Sequence, residues 1–102
     1  MKYDIYWLTL AELTFLDEID FILRKWNTNE VEKFTRLVYG FIDSLSQNPT
    51  IGKYSPKLKI YSLVISKQTT LYYTILEEKK QIDLLLFWNN KQNPIILKKI
   101  LR

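Results

Sequence analysis

Apolar residues along the first half of this chain recur at helical spacing. Ala11, Phe15, Ile19, Ile22, Leu23 and Trp26 lie three or four positions apart and share one face. Asp17, Glu18 and Asp20 fall near the other faces and read as a solvated run. Thr9 precedes the stripe and Glu12 follows it by three residues, which predicts a capping box, with Leu8 and Leu13 at the staple positions. This helix should end near Trp26. Asn27, Thr28 and Asn29 then form a turn with good N-cap character. Val31, Phe34, Leu37, Val38, Phe41, Ile42 and Leu45 make a second helical stripe. Gly40 lies inside it. A mid-helix Gly costs about 1 kcal/mol relative to Ala, so a close approach to the first helix is the expected reason for it. Pro49 holds Asn48 out of helical geometry and stops the helix. So short a connection predicts an antiparallel helical hairpin.

Elsewhere the period is two. Tyr3–Leu8 alternates weakly and is rich in Tyr, Ile and Trp, so it predicts a short strand. Thr50–Pro56 reads as a loop. Three strands are then expected over Leu58–Ser66, Thr70–Glu77 and Gln81–Trp88. In the first, Leu58, Ile60 and Val64 oppose Lys59, Tyr61, Leu63 and Ile65. In the second, Leu71, Tyr73 and Ile75 oppose Thr70, Tyr72 and Thr74. In the third, Ile82, Leu84, Leu86 and Trp88 oppose Asp83, Leu85 and Phe87. The connections are short, which predicts an antiparallel meander. Asn93-Pro94 is a good N-cap followed by a good first helical residue, and opens a short helix over Pro94–Leu101. The order is β-α-α-β-β-β-α. The fold class is therefore α+β, with the hairpin packed on one face of a mainly antiparallel sheet and the other face at least partly open.

At 102 residues the chain has room for one core, so residues 1–102 are read as a single domain. It contains no Cys and no His. That excludes disulfides, thiolate chemistry, His-ligated metals and a His general base, and neither a metal nor any other cofactor is expected. The longest apolar run, Leu84–Trp88, is far short of a membrane span, and the N-terminus does not read as a signal peptide. A cytoplasmic protein with no membrane partner is the expectation. Charge divides the chain sharply. Residues 1–50 hold five basic and eight acidic side chains, whereas residues 51–102 hold ten basic and three acidic. The strand half is thus a basic surface on an acidic helical half, which suits an anionic partner.

The element order carries several local words: Trp7-Leu8-Thr9-Leu10-Ala11 at the first helix, Leu45-Ser46-Gln47-Asn48-Pro49 followed by Ile51-Gly52 at the end of the second, Leu71-Tyr72-Tyr73-Thr74-Ile75 in the penultimate strand, and Phe87-Trp88-Asn89-Asn90-Lys91-Gln92-Asn93-Pro94 near the end. Together, in this order, they resemble the RelE/ParE toxins of type II toxin–antitoxin and plasmid-stabilisation systems. The resemblance implies a toxin neutralised by a cognate antitoxin. It also implies one of two targets: messenger RNA on the ribosome for RelE-like members, DNA gyrase for ParE-like members.

RNA cleavage by its own 2′-OH needs a proton acceptor, charge on the phosphate and a proton for the leaving oxygen. Carried over by position, the RelE-like catalytic set maps to Lys57, Lys59 and Lys91. The set looks incomplete. An arginine expected before the Tyr motif falls at Thr70, Lys91 lacks the bidentate fork of an arginine, and no Tyr follows Tyr73. The resemblance therefore leans toward a ParE-like growth inhibitor. A RelE-like, metal-independent endoribonuclease and a non-toxic binding module are the alternatives. Tyr61, Lys67, Thr70, Tyr72, Asn89, Asn90 and Gln92 are the candidates for antitoxin or target binding. Each has a plainer reading. The lysines could be edge charges that discourage strand pairing, and Asn89–Gln92 a polar loop. Tyr73 should be core, and Trp7, Trp26 and Trp88 packing groups.

Overall fold

The computed structural model describes residues 2–101. Its elements are strand β1 (Asp4–Trp7), helices α1 (Thr9–Lys25) and α2 (Thr28–Gln47), strands β2 (Lys53–Ser55), β3 (Ile60–Val64), β4 (Thr69–Leu76) and β5 (Gln81–Asn89), and helix α3 (Pro94–Leu101). The expected α+β order holds with one addition. Lys53-Tyr54-Ser55, expected to be loop, pairs antiparallel with the start of β3. The sheet order is β1-β5-β4-β3-β2. The last four strands form the antiparallel meander, and β1 lies parallel to β5.

Strand β3 begins two residues later than expected. Lys59 has φ of 59°, a left-handed conformation that closes a Pro56–Lys59 turn, so neither Leu58 nor Lys59 is in the strand. Strand β5 departs further. Tyr72 pairs with Leu86, but Tyr73 pairs with Leu84, so Leu85 is the extra residue of a β-bulge. A bulge reverses the side-chain alternation beyond it. Ile82 and Leu84 face the helices as expected, but after the bulge so do Phe87 and Asn89. Leu86 and Trp88 turn to the opposite face, which corrects the expected grouping of Ile82, Leu84, Leu86 and Trp88.

The helical hairpin covers one sheet face. Ala11 and Ile22 of α1, and Phe34, Val38, Ile42 and Leu45 of α2, enter one core with Leu71, Tyr73, Ile82, Leu84 and Phe87. Phe15 knits the layers together: its ring lies 5.3 Å from Trp7, 6.0 Å from Phe34 and 5.4 Å from Phe87. Such pairs add about 0.5–1.5 kcal/mol each beyond burial. Asn27 caps α2 through a bond from Glu30 N–H at 3.1 Å. The expected capping box at α1 does not form. Leu8 is the N-cap, because its N–H is already committed to Leu84 C=O at 3.1 Å, and Thr9 falls inside the helix. Leu8 and Leu13 are both exposed, so no staple closes there.

The two glycines have different reasons. A Cβ at Gly40 would meet nothing within 4 Å, which removes helix contact as its explanation. At Gly52 a Cβ would lie 2.6 Å from Tyr73 Oη and 2.7 Å from Ser62 C=O. Gly52 is needed because Tyr73, fully buried as expected, folds its hydroxyl under this loop. Tyr73 Oη donates to Pro49 C=O at 2.8 Å and accepts from Gly52 N–H at 3.0 Å. Burial pushes its pKa up to about 12, so it is a neutral clamp on the α2–β2 connection.

Candidate functional site

The face away from the helical hairpin carries Thr70, Tyr72 and Thr74 of β4, Ser62 and Val64 of β3, and Leu86 and Trp88 of β5. It is not open throughout. Ile60, Thr70, Leu86 and Trp88 are buried on this side, outside the main core. Tyr72 is half-buried, and that burial raises its pKa, so its hydroxyl remains a donor. Tyr61 does not join it. The register pairs Tyr61 with Tyr73 and Ser62 with Tyr72, so Tyr61 points to the helix side. There it stacks between Tyr73, at 5.2 Å, and the exposed Tyr54, at 4.9 Å. This three-tyrosine ladder had no sequence signal, because β2 itself had none.

The candidate lysines fall into two groups. Lys57 and Lys59 occupy the turn that leads into β3. Lys67 lies in the turn that leaves it, and Lys91 follows the end of β5. Asn90 ties those last two turns together: its N–H donates to Gln68 C=O at 2.6 Å and its Nδ2 to Lys67 C=O at 3.2 Å. The four residue steps of β3 separate the groups by about 13 Å at ordinary strand rise. Lys57 and Lys59 therefore do not share a site with Lys91. All four lysines are exposed.

The β5–α3 loop is internally committed. Thr70 Oγ1 donates to Asn90 Oδ1 at 2.9 Å, and Asn89 Oδ1 accepts from Lys91 N–H at 3.0 Å. Gln92 N–H donates to Asn89 C=O at 3.0 Å, while the Gln92 side chain is exposed. Thr70, Asn89 and Asn90 thus shape the loop that presents Lys91 and Gln92.

One residue of this region departs from its sequence expectation. Glu18, assigned to a solvated run, is 4% exposed. It sits at the floor of a cleft of about 310 Å³ between α1, the last residues of β5 and Ile100 of α3. Asn89, turned inward by the bulge, donates from Nδ2 to Glu18 Oε2 at a long 3.5 Å. Burial raises the Glu18 pKa from 4.5 to about 6; Thr69 and Asn89 pull it down and neighbouring Asp17 adds to the rise. The signal was present in the spacing: Ala11, Phe15, Glu18 and Ile22 form a truer stripe than one drawn through Ile19. Alongside, Thr14 Oγ1 accepts from Phe87 N–H at 2.9 Å and donates to Leu10 C=O at 2.6 Å. It thereby satisfies the edge of β5 beyond the reach of β1. Among the described residues no group of three His, Cys, Asp or Glu side chains converges as a metal site, and no helix is long and apolar enough to cross a membrane.

No family model and no curated protein matches this chain. Solved structures do. The chromosomal ParDE toxin–antitoxin system of Pseudomonas aeruginosa contains a chain that superposes with a TM-score of 0.71 at 13% identity, over 86% of this chain and 96% of that one. The RelBE2 toxin–antitoxin complex from Mycobacterium tuberculosis gives 0.59 at 17% identity, over 88% and 100%. A double-arginine mutant of the Escherichia coli toxin RelE in the free state gives 0.57 at 18%, over 98% and 99%. The likeness spans nearly the whole of both chains and establishes the RelE/ParE toxin fold.

Proposed function

We propose that this chain is the toxin of a type II toxin–antitoxin module, a ParE-like growth inhibitor held inactive in the cytoplasm by a cognate antitoxin. The observation that carries this reading is the near end-to-end likeness to chains of two toxin–antitoxin structures and of a free RelE toxin, with 86% to 98% of this chain covered. The basic balance of residues 51–102 fits an anionic target or an acidic antitoxin segment. An antitoxin would lay an amphipathic helix or strand over the sheet face bearing Tyr72 and over the hairpin, a recurrent mode of peptide capture. Exposed Leu13, Leu16, Leu37 and Tyr39 offer apolar contact on the hairpin.

Two features favour DNA gyrase over ribosome-bound messenger RNA as the target. Lys57 and Lys59 stand a strand's length from Lys91, too far to serve one phosphate. Thr70, where a phosphate clamp would be needed, is buried and bonded to Asn90. The TM-score is higher against the ParDE chain, 0.71, than against free RelE, 0.57, which supports the same reading.

The test is induction of the chain alone in bacteria, with growth, message integrity and DNA breaks recorded together. Arrest with DNA breaks and intact messages is the expected result. Arrest with cut messages would replace this reading by the RelE-like endoribonuclease. Growth without arrest would make the chain a non-toxic binding module on the same fold. Co-expression with the adjacent small open reading frame should restore growth.

A further inference from the structure

We propose that the open edge of β1 is a pairing surface for a second copy of this chain, β1 against β1, antiparallel about a two-fold axis through Tyr6. The bonds that β1 already makes fix which of its groups are free. Asp4 N–H donates to Lys80 C=O at 2.9 Å and Leu8 N–H to Leu84 C=O at 3.1 Å, so the even-numbered residues turn their backbone groups to β5. Ile5 and Trp7 therefore turn theirs outward, and among the described residues neither N–H has a hydrogen-bond partner. Tyr3 also turns outward, but its N–H is taken by Ser46 C=O at 2.7 Å. An unpaired edge is a template for another strand, and folded chains blunt it with lysine, proline, bulges or a covering element. The rest of this sheet's edge is blunted. Strand β2 carries Lys53 and is followed by Pro56, and α1 covers β5 beyond β1 through Thr14. Strand β1, Asp4-Ile5-Tyr6-Trp7, has no lysine, proline or bulge.

Register and flanks select a second copy as the occupant. Antiparallel pairing sets outward residues opposite outward residues. Ile5 opposite Trp7 of the second copy, and Trp7 opposite its Ile5, uses both free residues on each side, and each pair exchanges two N–H···O bonds. A register centred on Ile5 would call on Tyr3 N–H, which is taken, and one centred on Trp7 would call on Thr9, which is helical. The free edge is short. A flexible peptide would lose conformational entropy for so few bonds, whereas a second β1 arrives already extended. The flanks are self-complementary under a two-fold axis. Tyr6, 51% exposed, meets its own copy at the close, non-hydrogen-bonded position. On the helix side, exposed Leu16 and Tyr39 line a hollow beside Trp7. The same register lays the start of α1 beside Tyr3 of the second copy, and so beside the end of that copy's α2. Helix α1 has no side-chain cap and α2 has no basic residue in its last turn, so a positive helix end meets a negative one. This pairing does not depend on the toxin reading.

The test is sedimentation equilibrium of the purified full chain, with amide NMR spectra over the same concentrations. A concentration-dependent dimer is expected. As it forms, the Ile5 and Trp7 amide resonances should shift and their hydrogen exchange should slow. A half-labelled sample should show contacts between Ile5 of one copy and Trp7 of the other. Tyr6→Lys sets like charges face to face and should weaken the dimer by about tenfold or more. Tyr6→Thr, uncharged and suited to a strand, should weaken it by a smaller factor. Tryptophan fluorescence checks that both variants fold. Tyr54→Lys, on the other edge strand, should leave the dimer unchanged. A monomer at every concentration, an undiminished dimer in Tyr6→Lys, or a dimer whose shifts fall on β2 or α3 would each overturn the proposal. Ile5 and Trp7 amides that respond only to the product of the adjacent open reading frame would also overturn it, and would make the antitoxin the occupant. Growth without arrest on induction would sink the toxin reading and leave the dimer standing.

Discussion

Replacing Glu18 by Gln should make the protein more stable at neutral pH and should do so in a pH-dependent way. Burial raises the carboxyl from 4.5 to about 6, so the folded state binds this proton more tightly than the unfolded chain does. The stabilisation from that proton is fully present below pH 4.5 and is lost as pH rises through about 6. A shift of about 1.5 units at 1.36 kcal/mol per unit gives about 2 kcal/mol. The carboxyl lies at the floor of a cleft open to water, so about 1–2 kcal/mol is the working figure. Gln keeps the size and a hydrogen-bonding end but cannot ionise. Urea denaturation of both proteins, followed by tryptophan fluorescence from about pH 4 to pH 8, isolates the effect, because other titrations cancel in the difference. The variant should gain about 1–2 kcal/mol on the wild type across that range, most of it between pH 4.5 and 6.5. A flat difference would mean that the carboxyl is solvated. A difference of opposite slope would mean that Asn89 and Thr69 hold a carboxylate, and the burial argument would fail.

Three further outcomes follow from the packing. Gly52→Ala should cost about 1–3 kcal/mol by equilibrium unfolding, since the added methyl meets Tyr73 Oη and the backbone carbonyl of Ser62. Tyr73→Phe should cost about 1–3 kcal/mol by leaving Pro49 C=O and Gly52 N–H without their partner. It should rescue Gly52→Ala only in part, because the Ser62 carbonyl remains 2.7 Å from the new Cβ; full rescue in a double-mutant cycle would contradict this geometry. Gly40→Ala should stabilise the protein by up to about 1 kcal/mol, because the position is helical, exposed and empty around the missing Cβ. A loss of stability there would contradict the empty surroundings of the missing Cβ.

The helical hairpin, the meander and α3 were legible because their periods are clean and their stops are chemically explicit, Asn48-Pro49 and Asn93-Pro94 above all. The bulge was not. Leu84 to Trp88 is apolar at every position, so alternation carries no information about which side chain turns where. That one ambiguity hid the inward turn of Asn89 and with it the cleft. Glu18 was lost for a related reason: a carboxyl between Asp17 and Asp20 looks solvated in sequence, and only its phase with Ala11 and Ile22 argues otherwise. The β2 strand is three residues between Gly52 and Pro56, too short for periodicity to register. Lys57, Lys59 and Lys91 were brought together by the family resemblance, position by position, but β3 runs between the first two and the turn beside Lys91. Of the candidate binding residues, Tyr72 stands where its sequence face put it, whereas Tyr61 faces the helices.

The parallel pairing of β1 with β5 ties the beginning of the chain to its end. Four residues of β1 have no strand partner until Gln81–Leu84 exist, and the apolar stripe of α1 has chiefly α2 to rest on until the same strand is made. Strands β2, β3 and β4 can pair with one another first, but α1 sits chiefly on β5, so the sheet cannot seat both helices until β5 joins it. Contacts this distant in sequence form slowly, so the closure of β1 on β5 should come late in folding.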